Sequence, residues 1–437
     1  MLFRQLVDDD LGCASYLIGD EAAGEAVVVD PAYSIEPYLE EAERSGVRIV
    51  RIFETHTHAD HLSGHGRFAL EHRVPVSIHP LAEPEFAFDP VRDGDEVTVG
   101  DVTIRVLHTP GHRPEHCCYL ADGHLLTGDS LLIGDVARPD LAVEATEGAA
   151  ALYESLRRLT ELPEETEVDP GHVAGSLCAT GISSARASTI GMERLSNRAL
   201  AFGHADEFIA AYGSISAPRP PTVDRVVALN RGAFVGAPAE LEALERCEGQ
   251  VLDVRSPREF AAGHFAGALN VPLSGSSLGT KAGFVLDLDA PVAIHAGSAA
   301  DAEKAARRLR AVGLLAFAGY LVDLEATERI EPIAIDELEQ LLADNAVEVV
   351  DVREKEERDD GYIPESRHIP YRLVGEFAEE LGNGRPVVTV CNSGARAAVA
   401  ASVLAARGIQ ARPLLDAGVP DWEQRGNPVT SFRRCGT

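Results

Sequence analysis

Short apolar runs rich in β-branched residues recur along the 437-residue chain and predict β-strands. In the first half, the clearest runs cover residues 26–29, 47–53, 102–107 and 125–128. In the second half, they cover residues 251–254, 291–295, 349–352 and 386–390. Because helical segments alternate with these runs, the pattern predicts an α/β fold.

The second half contains an internal repeat. Three pairs of segments correspond between its copies: 251–256 with 349–354, 263–272 with 361–370, and 291–295 with 386–390. In both copies an Ala- and Arg-rich helix follows and ends at a glycine, Gly313 or Gly408, as helices commonly do. Each copy therefore predicts a small parallel α/β domain.

Breaks in composition at residues 213–221 and 232–238 separate this repeat from the first half. We therefore predict three domains, with the limits 1–236, 237–330 and 331–437. The formal net charge of −31 argues against nucleic acid or an anionic membrane surface as a partner. No apolar run approaches the roughly 18 residues of a membrane span, and no signal peptide is recognisable. With seven scattered cysteines, we expect free thiols and a cytoplasmic location.

Residues 55–61 concentrate three histidines and one aspartate on the loop after the predicted strand 47–53. Imidazole and carboxylate groups are the usual ligands of borderline divalent metals. Such a dense set fits a metal-binding loop better than core packing. The candidate ligands are His56, His58, Asp60 and His61.

Three more candidate ligands follow predicted strands further along the chain. They are His112 in Thr-Pro-Gly-His, Asp129 in Thr-Gly-Asp and His172 in Asp-Pro-Gly-His. A turn alone would explain any one of these motifs. Taken together, they predict a metal-binding edge of an αββα sandwich, with donors for one metal or for two.

With these motifs, residues 1–236 resemble the metallo-β-lactamase superfamily. The resemblance implies that one metal can bind at His56, His58, His112 and Asp129. It implies that a second can bind at Asp60, His61 and His172, with Asp129 shared between the two metals.

Residues 128–140 resemble the persulfide dioxygenase branch of that superfamily, and residues 171–178 resemble bacterial fusions of this dioxygenase with rhodanese domains. The resemblance implies one Fe(II) per chain in a facial triad of His56, His112 and Asp129. It further implies that His58, Asp60, His61 and His172 support the iron without binding it. By the same resemblance, Cys178 would relay persulfide sulfur. The donor types leave Zn(II) as the alternative metal.

Cys391 follows the predicted strand 387–390 and opens a helix. Backbone N–H groups and a helix N-terminus at that position stabilise a thiolate or a bound persulfide anion, and Arg396 adds a positive charge. The loop 391–396 resembles the active loop of rhodanese sulfurtransferases, which implies that Cys391 carries sulfane sulfur.

The first copy of the repeat lacks this chemistry. Alignment without gaps places Ala296 at the position of Cys391 and Asp301 at the position of Arg396. We therefore expect the first copy to be catalytically silent, with His295 in a packing role. The remaining cysteines, among them Cys13, are expected to be small buried residues.

Together these resemblances imply oxidation of a low-molecular-weight thiol persulfide by O₂ to sulfite and thiol. Cys391 would couple this reaction to sulfur transfer among persulfide, sulfite and thiosulfate. One alternative is a di-zinc thioester hydrolase of glyoxalase II type with a sulfurtransferase tail. Another is a rhodanese-centred sulfur carrier or sensor with a vestigial metal fold, against which the complete ligand set argues. By resemblance to the known fusions we expect a homodimer or homotetramer.

Overall fold

A computed structural model describes residues 1–173, 185–214, 218–322, 326–382 and 384–432. The chain forms two compact units that divide between Pro238 and Ala239, with the short segment Arg310–Gly313 assigned to the first. Among the described helices, none is both long enough and apolar enough to cross a bilayer.

The first unit contains two six-stranded mixed sheets. The strands of the first sheet, in spatial order, are β1 (Leu2–Val7), β2 (Ala14–Asp20), β3 (Glu25–Val29), β4 (Arg48–Phe53), β5 (Val76–Ile78) and β6 (Asp89–Pro90). The strands that follow are β7 (Glu96–Val99), β8 (Val102–His108), β9 (Cys117–Ala121), β10 (His124–Gly128), the hairpin β11 (Leu131–Leu132) and β12 (Asp135–Val136), then β13 (Glu167–Pro170) and β14 (Ser188–Thr189). The second sheet has the order β14-β13-β10-β9-β8-β7.

The two sheets pack face to face. Their shared core includes Ile18 and Phe53 from the first sheet and Ile104 and Tyr119 from the second. Helices α1 (Glu36–Arg44) and α2 (His65–His72) cover the outer face of the first sheet. Helices α3 (Ala145–Leu159), α4 (Ile190–Ser196) and α5 (Ala205–Tyr212) cover that of the second, and α6 (Thr222–Arg231) follows. The predicted αββα sandwich is confirmed.

The second unit holds two four-stranded parallel sheets. The first copy consists of β15 (Gln250–Asp253), α7 (Pro257–Ala262), β16 (Leu269–Asn270), α8 (Leu278–Val285), β17 (Val292–His295), α9 (Ala299–Ala311) and β18 (Phe317–Leu321). The second consists of α10 (Ile335–Ala343), β19 (Glu348–Asp351), α11 (Lys355–Asp360), β20 (Arg367–His368), β21 (Val387–Val390), α12 (Ala395–Ala405), β22 (Ala411–Pro413) and α13 (Val419–Gln424).

The two copies share both strand order and register. Their orders are β16-β15-β17-β18 and β20-β19-β21-β22. Asp253 pairs with His295 in the first copy, and Asp351 pairs with Val390 in the second. The gapless alignment of the sequence repeat therefore matches the observed pairing. Two small parallel α/β domains are confirmed, while the domain limits proposed from the sequence remain predictions.

Candidate functional site

The candidate ligands of the first unit lie on loops at the carboxyl ends of strands. His56 follows β4, His112 follows β8, Asp129 comes directly after β10, and His172 follows β13. Gly111 allows one of these loops to pack tightly: its φ is 151°, and an added Cβ would lie 2.5 Å from the Cα of a residue in α3. A side chain at this position would push the His112 loop away from that helix.

Three buried side chains bring their donor atoms together. His112 Nε2 lies 3.6 Å from Asp129 Oδ2, and His56 Nε2 lies 4.0 Å from the same oxygen. Each residue is only 1% exposed. Within the described part of the chain, His56 Nε2 and Asp129 Oδ2 have no hydrogen-bond partner. Buried polar atoms are normally paired, so this set fits a metal ion.

The second ring nitrogen, Nδ1, of both His56 and His112 is held by a hydrogen bond. Thr55 Oγ1 donates to Asp30 Oδ2 at 2.8 Å, so it accepts from His56 Nδ1 at 2.8 Å. His112 Nδ1 donates to the carbonyl of Arg138 at 2.9 Å. These bonds leave the lone pair of each Nε2 toward the centre, which is the form that binds a metal.

The charges of these groups suit metal binding. Burial, with help from neighbouring imidazoles, lowers the pKa of His56, and burial also lowers the pKa of His112. Burial would raise the pKa of Asp129, but His172 and His112 hold it well below its usual range. Neutral imidazoles and an ionised carboxylate are the ligand forms of these side chains.

His58 points its Nε2 away from this centre. That atom lies 3.1 Å from Glu54 Oε2 and 3.2 Å from Asp30 Oδ1. Burial and His61 would lower the pKa of His58, but the two carboxylates raise it to about 9. Glu54 is further occupied by Ser63 Oγ at 2.5 Å and by His65 Nδ1 at 3.0 Å. The geometry groups Nε2 of His58 with carboxylates. Its Nδ1 is buried and has no hydrogen-bond partner among the described residues, and its ring centre lies 4.3 Å from that of His56, so its role remains a prediction.

Asp60, His61 and His172 form a second cluster. His172 Nε2 lies 2.7 Å from Asp60 Oδ2, and its Nδ1 lies 2.7 Å from Asp129 Oδ1. His61 Nδ1 lies 3.2 Å from Asp60 Oδ1. Cys13 is buried as expected, yet its thiol contacts all three residues of the cluster. Sequence reasoning missed this role because Cys13 belongs to no recognisable motif.

Sequence reasoning also missed an asparagine that holds the ligand loop. Asn230 on α6 donates through Nδ2 to the carbonyls of His58 at 3.0 Å and His61 at 2.9 Å. Its Oδ1 accepts from the backbone N–H of Ser63 at 2.9 Å. His116 has a comparable role, since its Nε2 accepts from the backbone N–H of Asp129 at 3.0 Å. Neither residue lies in a motif that points to a metal site.

The predicted sulfur loop of the second unit is ordered around Cys391. This residue directly follows β21 and is 1% exposed. The backbone N–H of Gly394 donates to its Sγ at 3.1 Å, and α12 begins at the next residue. A donor at this place stabilises negative charge on sulfur. Cys178, the other predicted sulfur carrier, lies outside the described residues.

Arg396 is engaged by a carboxylate. Its guanidinium donates to Glu357 through two bonds of 2.5 and 2.7 Å, and Asn392 donates to the same carboxylate at 2.8 Å. Burial would lower the pKa of Arg396, but Glu357 raises it. The loop therefore presents a paired rather than an isolated positive charge.

The corresponding loop of the first copy has different chemistry. Ala296 is fully buried at the position of Cys391. Asp301 accepts from Ser298 Oγ at 2.7 Å. His295 is also buried and lies 3.1 Å from Asp253 Oδ2, as befits a packed and paired side chain. No thiol or guanidinium stands at these two loop positions.

Family profiles match both halves of the chain. The profile of the metallo-beta-lactamase superfamily matches residues 8–172. The profile of the rhodanese-like domain matches residues 237–323 and 334–425.

Individual relatives differ in their named activities. The chain is 28% identical over 244 residues to persulfide dioxygenase ETHE1, mitochondrial, of Homo sapiens, covering 54% of this chain and 91% of that protein. It is 37% identical over 163 residues to a hydroxyacylglutathione hydrolase of Gloeobacter violaceus, covering 36% of this chain and 62% of that protein. A crystal structure of a metallo-beta-lactamase from Staphylococcus aureus subsp. aureus COL matches with a TM-score of 0.68 at 28% identity. That match covers 73% of this chain and 98% of the other.

Proposed function

Because this chain belongs to the metallo-β-lactamase superfamily and carries two rhodanese-like domains, we propose that it oxidises a thiol persulfide and transfers sulfane sulfur. The substrate would be a low-molecular-weight thiol persulfide. One persulfide, one O₂ and one water would give one thiol, one sulfite and two protons. The similarity to a persulfide dioxygenase over 91% of that protein supports this reaction class.

One observation carries the choice of oxygenase over hydrolase. His56, His112 and Asp129 converge as a group of three, whereas Nε2 of His58 is bonded to Glu54 and Asp30, and only its Nδ1 lacks a hydrogen-bond partner within the described part of the chain. Two imidazoles and one carboxylate are the donor set of non-haem iron oxygenases. Bound there, one Fe(II) per chain would supply open positions for O₂ and for the persulfide sulfur.

The surrounding side chains of this chain fix the donors and exclude water. Thr55 and the Arg138 carbonyl set the proton positions on His56 and His112. His172 holds the second oxygen of Asp129, leaving Oδ2 free to face the two imidazoles. Because all three donor residues are almost fully buried, their geometry is set before any substrate arrives.

The second unit supplies a sulfur carrier. The Cys391 thiolate attacks the outer sulfur of a donor persulfide, the sulfur–sulfur bond of the donor breaks, and the donor leaves as a thiolate. Sulfite then takes the outer sulfur from the Cys391 persulfide, which forms thiosulfate and restores the thiolate. Gly394 N–H, 3.1 Å from Sγ, stabilises the anionic sulfur at each stage. The first copy, with Ala296 in place of the nucleophile, would be silent.

A pair of substitutions separates the two activities. In the full chain, Cys391→Ala should reduce thiosulfate formation to the uncatalysed level and leave O₂ uptake with a thiol persulfide unchanged. Cys247→Ala, which removes another thiol of the second unit, is the matched control and should change neither activity. Sulfur transfer that persists in Cys391→Ala would refute the assigned carrier.

By the resemblance of residues 171–178 to fusions of the dioxygenase with rhodanese domains, Cys178 would relay persulfide sulfur. Cys178→Ser should slow the delivery of sulfur to Cys391 when persulfide is limiting. Unchanged oxidation and unchanged transfer in this variant would remove the relay from the proposal. The predicted cytoplasmic location and homodimeric or homotetrameric assembly also remain to be tested.

A di-zinc thioester hydrolase fused to a sulfurtransferase is the second candidate function. It is favoured by the complete set of second-site donors, Asp60, His61 and His172, and by the similarity to a hydroxyacylglutathione hydrolase. Metal analysis of the full chain, together with O₂ uptake and thioester hydrolysis, separates the two. Persulfide-dependent O₂ uptake with one iron per chain supports the oxygenase. Two zinc ions, no O₂ uptake and thioester cleavage would replace it with the hydrolase.

A further inference from the structure

His124, Glu167 and Asp169 form a cluster of metal-binding side-chain types outside the centre described above. His124 begins β10, and both carboxylates lie on β13, which pairs with β10 in parallel register. In this register His124 stands opposite Glu167. Glu167 and Asp169 are two residues apart on the same strand, so they project from the same face of the sheet. The regular geometry of two paired strands therefore brings one imidazole and two carboxylates together.

The separation of the donor atoms suits one divalent ion. His124 Nδ1 lies 3.1 Å from Asp169 Oδ2 and 3.4 Å from Glu167 Oε2. Donor atoms bound to one Zn²⁺ at about 2.0–2.2 Å lie about 2.8–3.6 Å from their neighbours in octahedral or tetrahedral coordination. One ligand atom from each of the three residues lies within 4.8 Å of the other two. The side chains therefore need little movement to share an ion.

The protein leaves these two carboxylates short of positive charge. Asp169 is 2% exposed, and within the described part of the chain the only hydrogen bond to its carboxylate comes from His124. Among the described residues, His124 is also the only side chain that pairs with the carboxylate of Glu167. One imidazole carries at most one positive charge, and burial raises the pKa of Asp169 to about 6. A divalent cation would compensate both carboxylates.

The imidazole is held on one side, and the cluster is open to water on the other. Phe3 on β1 stacks on the ring of His124, with ring centres 4.0 Å apart and an angle of 21° between the planes. The side chain of His124 is 21% exposed, and that of Glu167 is 51% exposed. An ion can therefore enter from solvent and complete its coordination shell with water, while the paired strands fix its protein ligands.

We propose that His124, Glu167 and Asp169 form a Zn²⁺ site that links β10 to β13. Imidazole nitrogen and carboxylate oxygen are ligands of this borderline ion, and two carboxylates neutralise its charge. β10 leads directly to Asp129, and β13 leads to the loop that carries His172. The ion would hold together the two strands that position those side chains. The site shares no ligand with the first centre and does not depend on the proposed function.

The number of zinc ions bound by the unmodified protein and by its variants tests this site. The full-length protein, as purified with its own metal, is dialysed at pH 7 against about 10 μM free Zn²⁺, which fills most of a site whose dissociation constant is about 1 μM. Metal analysis then gives the zinc content per chain. Glu167→Gln and His124→Gln should each weaken this site at least a hundredfold and hold about one zinc ion fewer per chain. Zinc at any other site contributes equally to each protein, so the difference reports this site alone.

Glu165→Gln is the matched control. Glu165 lies two residues before β13, is exposed, and undergoes the same change of charge as Glu167. This variant should hold as much zinc as the unmodified protein. Zn²⁺ should also raise the unfolding temperature of Glu165→Gln more than that of Glu167→Gln. Equal zinc contents of the unmodified protein and Glu167→Gln, or an equal loss in Glu165→Gln, would overturn the proposal. Neither result bears on persulfide oxidation, whose readout is O₂ uptake.

Discussion

Replacing Thr55 with valine should weaken the hold of the first metal centre on its ion. The Thr55 hydroxyl is fully buried and links Asp30 Oδ2 to His56 Nδ1 through two bonds of 2.8 Å. Valine keeps the size of the side chain but removes both bonds. His56 then loses the partner that fixes its proton on Nδ1 and its lone pair on Nε2.

The structure sets the size of the effect. Loss of an outer partner of a ligating histidine costs about 10–100-fold in metal affinity. Two buried polar atoms, Asp30 Oδ2 and His56 Nδ1, also lose a partner, and about 1–3 kcal/mol for each predicts roughly 2–6 kcal/mol of lost folding stability. Competition of the Fe(II)-loaded protein with a chelator measures the affinity, and calorimetry measures the stability.

Thr57→Val is the matched control. Thr57 lies on the same loop and is buried, but its hydroxyl makes no hydrogen bond within the part of the chain that the structure describes. It should therefore keep its iron affinity within about twofold. Equal affinity in Thr55→Val and Thr57→Val would refute the orienting role of the Thr55 hydroxyl. An equal fall in both variants would refute it as well, because the loop alone would then account for the loss.

Three other contacts give measurable expectations. Glu357→Gln removes the carboxylate that pairs with Arg396. The ratio of kcat/KM for dianionic thiosulfate to kcat/KM for a persulfide monoanion should rise about tenfold, which corresponds to about 1.4 kcal/mol. An unchanged ratio would contradict this expectation. Burial raises the pKa of Asp169 from 3.8 to about 6, because the folded protein favours the neutral carboxyl. The folded state therefore has its full stability below about pH 4, and it loses stability as the pH rises through 6 and the buried carboxyl ionises. Asp169→Asn should accordingly be about 3 kcal/mol more stable than the unmodified chain at pH 7 and equal to it at pH 4. Thermal unfolding measures this difference. The same difference at both pH values would be inconsistent with the raised pKa of Asp169. Asn230→Asp removes the two N–H donors to the carbonyls of His58 and His61. It should lower the free energy of unfolding by roughly 2–4 kcal/mol, as measured by calorimetry. An unchanged free energy of unfolding would exclude the proposed role of Asn230 in holding this loop.

The fold could be predicted because its signals are local. The apolar runs at 47–53 and 102–107 were found as strands Arg48–Phe53 and Val102–His108, with shifts of one residue. The internal repeat predicted two similar parallel domains. Asp253 pairs with His295 as Asp351 pairs with Val390, which supports the same alignment. Apolar runs and repeated short segments can be recognised in the sequence, because each depends only on residues that are neighbours in the chain.

The candidate metal centre was only partly accessible from the sequence. Motif spacing pointed to seven candidate donors, from His56 to His172, on loops that follow strands. It did not identify Asp30 and Glu54 as the partners of His58. Asp30 lies on the loop after β3, and no spacing rule connects it with the histidine cluster.

The sequence by itself determined two candidate chemistries, a metal centre rich in His and Asp and a thiol at a helix N-terminus. Tertiary structure decided which donors share a centre, and it placed Cys13 against Asp60, His61 and His172. The physical reason is the range of the forces involved. Strand and loop propensities act over a few residues, whereas a contact between Cys13 and His172 forms only when two distant segments pair through their backbones.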